Sequence, residues 1–148
     1  MEPPRFLDDV AAFFAAHGMS PIAGRLFAYL LVCDPPEQSF ETLCEALGAS
    51  RASISMMTRL LVQIGLVERL PGRGRRLSYR LDPQAWTHLL EDDMRSAMRL
   101  RELATVGLRL LQRRRPQARQ RLAAMQQFYA FLEKETAQVL TKWKEARR

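Results

Sequence analysis

The chain has 148 residues, enough for one domain of ordinary size that buries roughly two-thirds of its unfolded surface. Its formal charge is +7, with 20 arginines and only 3 lysines against 16 acids, a balance that favours polyanionic partners without dictating a fold. No run approaches the roughly 20 apolar residues of a membrane span, MEPPRFLDDV is too acidic and interrupted for a signal peptide, and two cysteines without a targeting signal point to a cytoplasmic protein with no disulfide framework.

Pro3 and Pro4 precede a helical pattern in which Phe6, Val10, Phe13, Phe14 and His17 share a face, and Gly18 stops it. A stripe that aromatic does not rest in water, and a lone short helix has little core of its own. It is therefore expected against the C-terminal helices, those of a partner subunit. His17 and His88 stand far apart, so His17 reads as a helix-end residue and neither a metal nor a cofactor is expected.

Ser20 and Pro21 open a second helix, IAGRLFAYLLVC, so apolar that it belongs at the buried centre of the domain. Asp34, Pro35 and Pro36 break it, and Ser39 caps FETLCEAL, with Phe40, Leu43 and Leu47 pointing inward. Cys33 and Cys44 lie among apolar residues with no sequence-local cation to activate them, and read as buried structural cysteines rather than thiol switches.

Gly48, Ala49 and Ser50 make a tight turn into a helix that Gly65 closes. Ile54, Met57, Leu60, Leu61 and Ile64 form its apolar stripe. The opposite face is Arg51, Ala52, Ser55, Met56, Arg59 and Val62: two arginines, a small hydroxyl and no acid. Most amphipathic helices simply solvate that face, but LVERL, PGRGRR and LSYRL follow, two alternating runs around a Gly/Pro turn. Leu77, Tyr79 and Leu81 are expected inward, with Arg76, Ser78 and Arg80 outward. Between residues 51 and 80 seven arginines face one acid, Glu68. A helix followed by an arginine-tipped hairpin indicates a winged helix-turn-helix.

After Pro83 a long helical pattern carries Trp86, Leu89, Leu90, Met94, Met98, Leu103, Val106, Leu110 and Leu111. Pro116 disfavours helix at the residue before it, which places a break near Arg115. Beyond it Leu122, Met125, Tyr129, Leu132, Thr136, Val139 and Trp143 alternate at spacings of three and four, a heptad seam that favours dimerisation over packing within the chain. Arg113, Arg114 and Arg115 read equally well as a phosphate patch or a solvated corner. The expected fold is mainly α with a small β-hairpin wing in a single domain. Residues 1–18 are a dimerisation helix, 19–82 the winged helix-turn-helix, and 83–148 the C-terminal dimerisation helices.

Residues 18–81, with GMSPIAGRLFAYLLVCDPPEQS, FETLCEALGASRASIS, LVQIGLVERL and GRGRRLSYRL, resemble bacterial MarR-type winged-helix regulators, most of all the GbsR-like branch. The resemblance implies a homodimeric transcriptional regulator that binds double-stranded DNA; a repressor answering a small-molecule effector is the expectation, with activation at a promoter left open. On that expectation Arg51 and Arg59 meet guanine edges or phosphates, Ala52 and Met56 thymine methyls, Ser55 a base and Ser50 a phosphate. Arg73, Arg75 and Arg76 reach the minor groove or its backbone from the wing. A GbsR-like effector would be an osmolyte such as choline or glycine betaine, held in an aromatic cage. Phe13, Phe14, Tyr29, Trp86 and Tyr129 could supply rings, although aromatics at helical spacing more often form core. A winged helix used for protein interaction instead would show apolar anchors where this face has only Met56 and Val62. An enzyme is disfavoured, since Glu91, Asp92 and Asp93 are the nearest approach to a catalytic constellation and read as an exposed helical turn.

Overall fold

Prolines, serines and glycines divide the first part of the chain into short helices where the sequence predicts them. The computed structural model describes residues 3–72, 74–111 and 113–148, in two units that meet between Ala85 and Trp86. In the first unit, α1 (Pro3–Ala16) is followed by Gly18 in the left-handed region at φ 75°. Ser20 caps α2 (Pro21–Val32) by accepting from the Ile22 amide at 3.2 Å, and Pro21 sits where its missing N–H has no consequence. A two-residue strand, β1 (Gln38–Ser39), leads into α3 (Phe40–Leu47), whose cap is Ser39, accepting from the Thr42 amide at 3.1 Å. Gly48 ends α3 at φ 58°, and Ser50 caps α4 (Arg51–Gln63) through the Ser53 amide at 3.1 Å. Then come β2 (Val67–Pro71) and β3 (Leu77–Leu81).

Leu26, Leu43, Ile54, Leu61 and Val67, drawn from α2, α3, α4 and β2, are fully buried and form the centre of this unit. Each such side chain stabilises the fold by about 1.5–3 kcal/mol. Thr58 is buried with them, and its hydroxyl donates to the Ile54 carbonyl at 2.8 Å, so the polar group is satisfied inside its own helix.

The wing is part of a three-stranded antiparallel sheet ordered β1-β3-β2, where the sequence indicated a two-stranded hairpin. That corrects the facing of β3. Tyr79 is buried as expected, but Ser78 is buried too, because β1 covers it and its hydroxyl bonds the Glu37 carboxylate. Leu77, next to the turn, is exposed.

A second correction concerns α1, which packs on α2 of its own chain. A Cβ on Gly24 would lie 2.8 Å from Ala11 Cα and 3.0 Å from the Val10 carbonyl oxygen, so only glycine admits this approach. The buried stripe is Leu7, Ala11 and Phe14, rotated from the one read in the sequence. Phe14 stacks against Phe27 with ring centroids 5.7 Å apart, and Asp8 pairs with Arg25. Phe6 and Val10 are half-buried, His17 is exposed, and Phe13 is 61% exposed. Close helix approach selects small Ala11; a stripe picked by aromatic size misses that.

The second unit is built from α5 (Ala85–Leu111) and α6 (Pro116–Ala146). Arg115 at φ 55° makes the corner before Pro116, where the break was expected. The helices run antiparallel. Trp143 Nε1 donates to Thr87 Oγ1 at 2.9 Å, Lys144 Nζ to Glu91 at 2.8 Å, Arg101 Nε to Glu133 at 2.5 Å, and Gln126 Nε2 to Thr105 at 2.8 Å. Leu122 reaches toward Gly107 near the corner. Leu122 and Trp143, two members of the heptad seam, are thus engaged inside the chain. Of the seam, Leu122, Met125, Tyr129, Leu132, Thr136 and Trp143 are half-buried and Val139 is exposed, while the neighbouring Leu140 is buried. Leu103, Val106 and Leu110 of α5 and Phe128 and Phe131 of α6 are also exposed. Among the described residues no helix is long and apolar enough to cross a membrane.

Candidate nucleic-acid interface

The stop at Gly48 and the cap at Ser50 present α4 at the surface, and its own periodicity decides which side faces out. Ile54, Thr58 and Leu61 turn inward. Arg51, Ala52, Met56, Arg59 and Val62 are exposed on the other side, with Ser55 half-buried among them and Met56 57% exposed. The face read from the sequence is therefore the face the fold leaves open. Ser50 is exposed at the helix start, and its hydroxyl also donates to Ser53 Oγ at 2.9 Å.

Two of these side chains have local partners that the sequence reading did not assign. The Arg51 guanidinium lies 4.9 Å over the Phe40 ring and 3.8 Å from the Glu41 carboxylate, folded back on α3. An exposed pair of this kind contributes about 1 kcal/mol or less, so it orients Arg51 without locking it. Arg59 Nη2 donates to Ser55 Oγ at 3.2 Å and Nε to the Ser55 carbonyl at 3.4 Å, which makes Ser55 and Arg59 one unit. Their spacing of four residues was the available signal.

At the wing, the Gly72 amide donates to the Arg76 carbonyl at 2.7 Å and Gly74 adopts φ 68°, closing the turn. Arg75 and Arg76 are exposed there; Arg73 lies outside the described residues. Arg80 is held by Glu68, Nε to Oε2 at 2.8 Å, and that hydrogen bond and charge push the guanidinium's pKa further up. Arg69 has a different setting. Its cross-strand partner is Tyr79, and with Arg59, Val62, Gln63 and Tyr79 it lines a cleft of about 220 Å³ between α4 and the wing. Sequence reasoning counted Arg69 in the charge and gave it no role. The strand alternation that puts Val67 inward was the signal that places Arg69 on the helix side.

The other candidate groups lie elsewhere. Cys33 and Cys44 are half-buried free thiols rather than buried ones. Burial pushes the Cys33 thiol up, opposite to activation. Of the rings considered for a cage, Phe13 and Phe14 line a cleft of about 420 Å³ with Phe6, Val10, Phe27 and Asp9, while the Tyr29 hydroxyl donates to Gln38 Oε1 at 3.4 Å. In the second unit Tyr129 packs edge-on against Phe128.

Comparison with known proteins agrees with this geometry. A family model described as MmpR5-like MarR family transcriptional regulator matches residues 84–147, the span of α5 and α6. The HTH-type transcriptional regulator MmpR5 of Mycobacterium tuberculosis is 38% identical over 139 residues, covering 93% of this chain and 84% of that protein. A crystal structure of a transcriptional regulator superposes with a TM-score of 0.88 at 37% identity, covering 97% of this chain and 98% of the other. The family model and the Mycobacterium tuberculosis relative carry the MmpR5 description, not the GbsR-like one that the sequence resemblance implied. With an exposed helix-turn-helix face beside an arginine-bearing wing, the chain belongs to the MmpR5-like MarR family and is a DNA-binding transcriptional regulator.

Proposed function

We propose that the protein acts in the cytoplasm as a homodimeric repressor, placing one α4 in the major groove of each half of a pseudo-palindromic site and releasing it on binding a small molecule. The observation that carries this reading is the open face of α4, where Arg51, Ala52, Met56 and Arg59 project around Ser55 with no acid among them. Arg51 and the Ser55–Arg59 unit are assigned to base edges and nearby phosphates, Ala52 and Met56 to thymine methyls, and the helix start at Ser50 to a phosphate. Arg73, Arg75 and Arg76 are assigned to the adjacent minor groove or its backbone.

Dimerisation is assigned to the terminal helices, supported by the apolar side chains left open on α5 and α6 and by Phe13 on α1. A GbsR-like affiliation, with a quaternary ammonium effector, finds its support in the run from Gly18 to Leu81 and in the rings at the α1–α2 cleft. Genomic footprinting with the full-length protein tests the whole reading. It should return a two-fold related motif with half-sites about one helical turn apart; protection without any shared sequence would contradict it.

A further inference from the structure

Of the residues lining the cleft between the C-terminal half of α4 and the wing, only Arg59 takes part in the assignments above. We infer that it seats one phosphate of the DNA backbone, gripped by Arg69 together with Arg59, and that Arg69 positions the recognition helix over its base pairs. This rests on the proposed docking of α4 in a major groove and the wing in the adjacent minor groove. Adjacent grooves are separated by a phosphodiester strand, so a protein occupying both has that strand running between the two elements. The cleft lies there, with Arg59, Gln63 and Arg69 around Val62 and Tyr79.

Charge, direction and rigidity all suit an oxyanion. Among the described residues no carboxylate lines the cleft, and the nearest acid along the strand, Glu68, is bound to Arg80 at 2.8 Å. Strand alternation puts Glu68 and Arg80 across from each other on one side of the sheet. Arg69 and Tyr79 are paired on the other, in line with buried Val67. Arg59 is tethered to Ser55 through Nε and Nη2, which leaves its remaining N–H groups for a ligand at little further cost in ordering. Gln63 adds an amide donor beside them. The guanidinium fork matches phosphate oxygens bidentately. Such a contact carries no sequence information and fixes the register from which base contacts are made. A free phosphorylated molecule offers the same oxyanion, and the test separates the two sources.

Arg69→Ala and Arg69→Lys in the full-length chain are titrated with a footprinted duplex and a scrambled one across a salt series. The titrations are repeated with duplexes carrying single neutral methylphosphonates along the strand between the grooves. Arg69→Ala should weaken both duplexes by a similar factor, roughly tenfold, and lower the salt slope by about 0.9. One methylphosphonate position should weaken the native protein clearly more than it weakens Arg69→Ala, in which Arg59 alone still faces that phosphate. Arg69→Lys should restore the slope without the full affinity. The inference is overturned by an unchanged slope and affinity, by losses confined to particular base pairs, or by identical methylphosphonate penalties in native and variant proteins. It is overturned too if inorganic phosphate competes through Arg69 while no methylphosphonate matters, which would give the seat to a free anion. Loss of base discrimination in Arg51→Ala reports on the docking itself, so failure at Arg69 alone leaves the proposed function standing.

Discussion

The winged-helix unit and the C-terminal helix pair are held together by different means. In the first, Leu26, Leu43, Ile54, Leu61 and Val67 are fully buried from four elements. In the second, Leu140 is the only large aliphatic side chain buried among the described residues, with Thr87, Ala97 and Ala104, and the helices are joined by Trp143–Thr87, Lys144–Glu91, Arg101–Glu133 and Gln126–Thr105. Leu110 is 79% exposed and Phe131 62%. The winged unit therefore carries its own core, whereas the helix pair carries open apolar surface of the kind that marks an interaction site. That asymmetry is the physical argument for the proposal that the protein dimerises and does so through the pair.

The sharpest way to break the comparison is to empty each core. Leu61→Ala should cost about 2–5 kcal/mol and lower the Tm by many degrees, while Leu140→Ala, buried but surrounded by half-exposed neighbours rather than a filled core, should fall at or below the lower end of that range. Thermal unfolding monitored by circular dichroism checks this, and equal losses would contradict a self-sufficient winged unit. Next in size, Phe131→Glu should raise the dimer dissociation constant at least about tenfold. Sedimentation should then show monomer with the unfolding of the winged unit retained; an unchanged dimer would remove α6 from the interface.

The two close helix contacts give a finer test. Gly24→Ala drives a Cβ to 2.8 Å from the Ala11 backbone, which is hard to move, and should cost about 1–3 kcal/mol. Gly107→Ala meets the Leu122 Cδ1 tip at 2.9 Å. That side chain can turn aside, and alanine gains about 0.5–1 kcal/mol over glycine within a helix, so the net change should be near zero. The smallest effect is electrostatic. The hydrogen bond from Lys144 holds Glu91 below its ordinary pKa. The resulting stability is present above the ordinary glutamate value and is lost as pH falls through the lowered one. Acid titration should therefore remove a small part of the helix pair's stability, and Lys144→Ala should flatten that part of the pH dependence.

Much of this was legible in the sequence because local chemistry decided it. Ser20, Ser39, Ser50, Gly18, Gly48 and Pro116 mark element ends that depend on few neighbours, and the α4 face follows from period alone. What could not be read is set by tertiary contacts. The third strand β1 is two residues long and exists only because β3 is there to pair with it. The α1 stripe was rotated by a close approach at Gly24, and the heptad seam was partly absorbed by α5. Alternation with Val67 gave the side of the strand on which Arg69 lies, but its place in a cleft depends on α4 and β3 converging, which no run of sequence around it displays.

The most direct test measures native protein, Arg51→Ala and Arg75→Ala on the footprinted site and on every single-base variant of it. The account predicts that Arg51→Ala loses about 1–3 kcal/mol of preference at particular base pairs, while Arg75→Ala weakens all sequences alike with a shallower salt dependence. Uniform weakening by Arg51→Ala, with every base preference retained, would contradict the assignment of the open face of α4 to base reading.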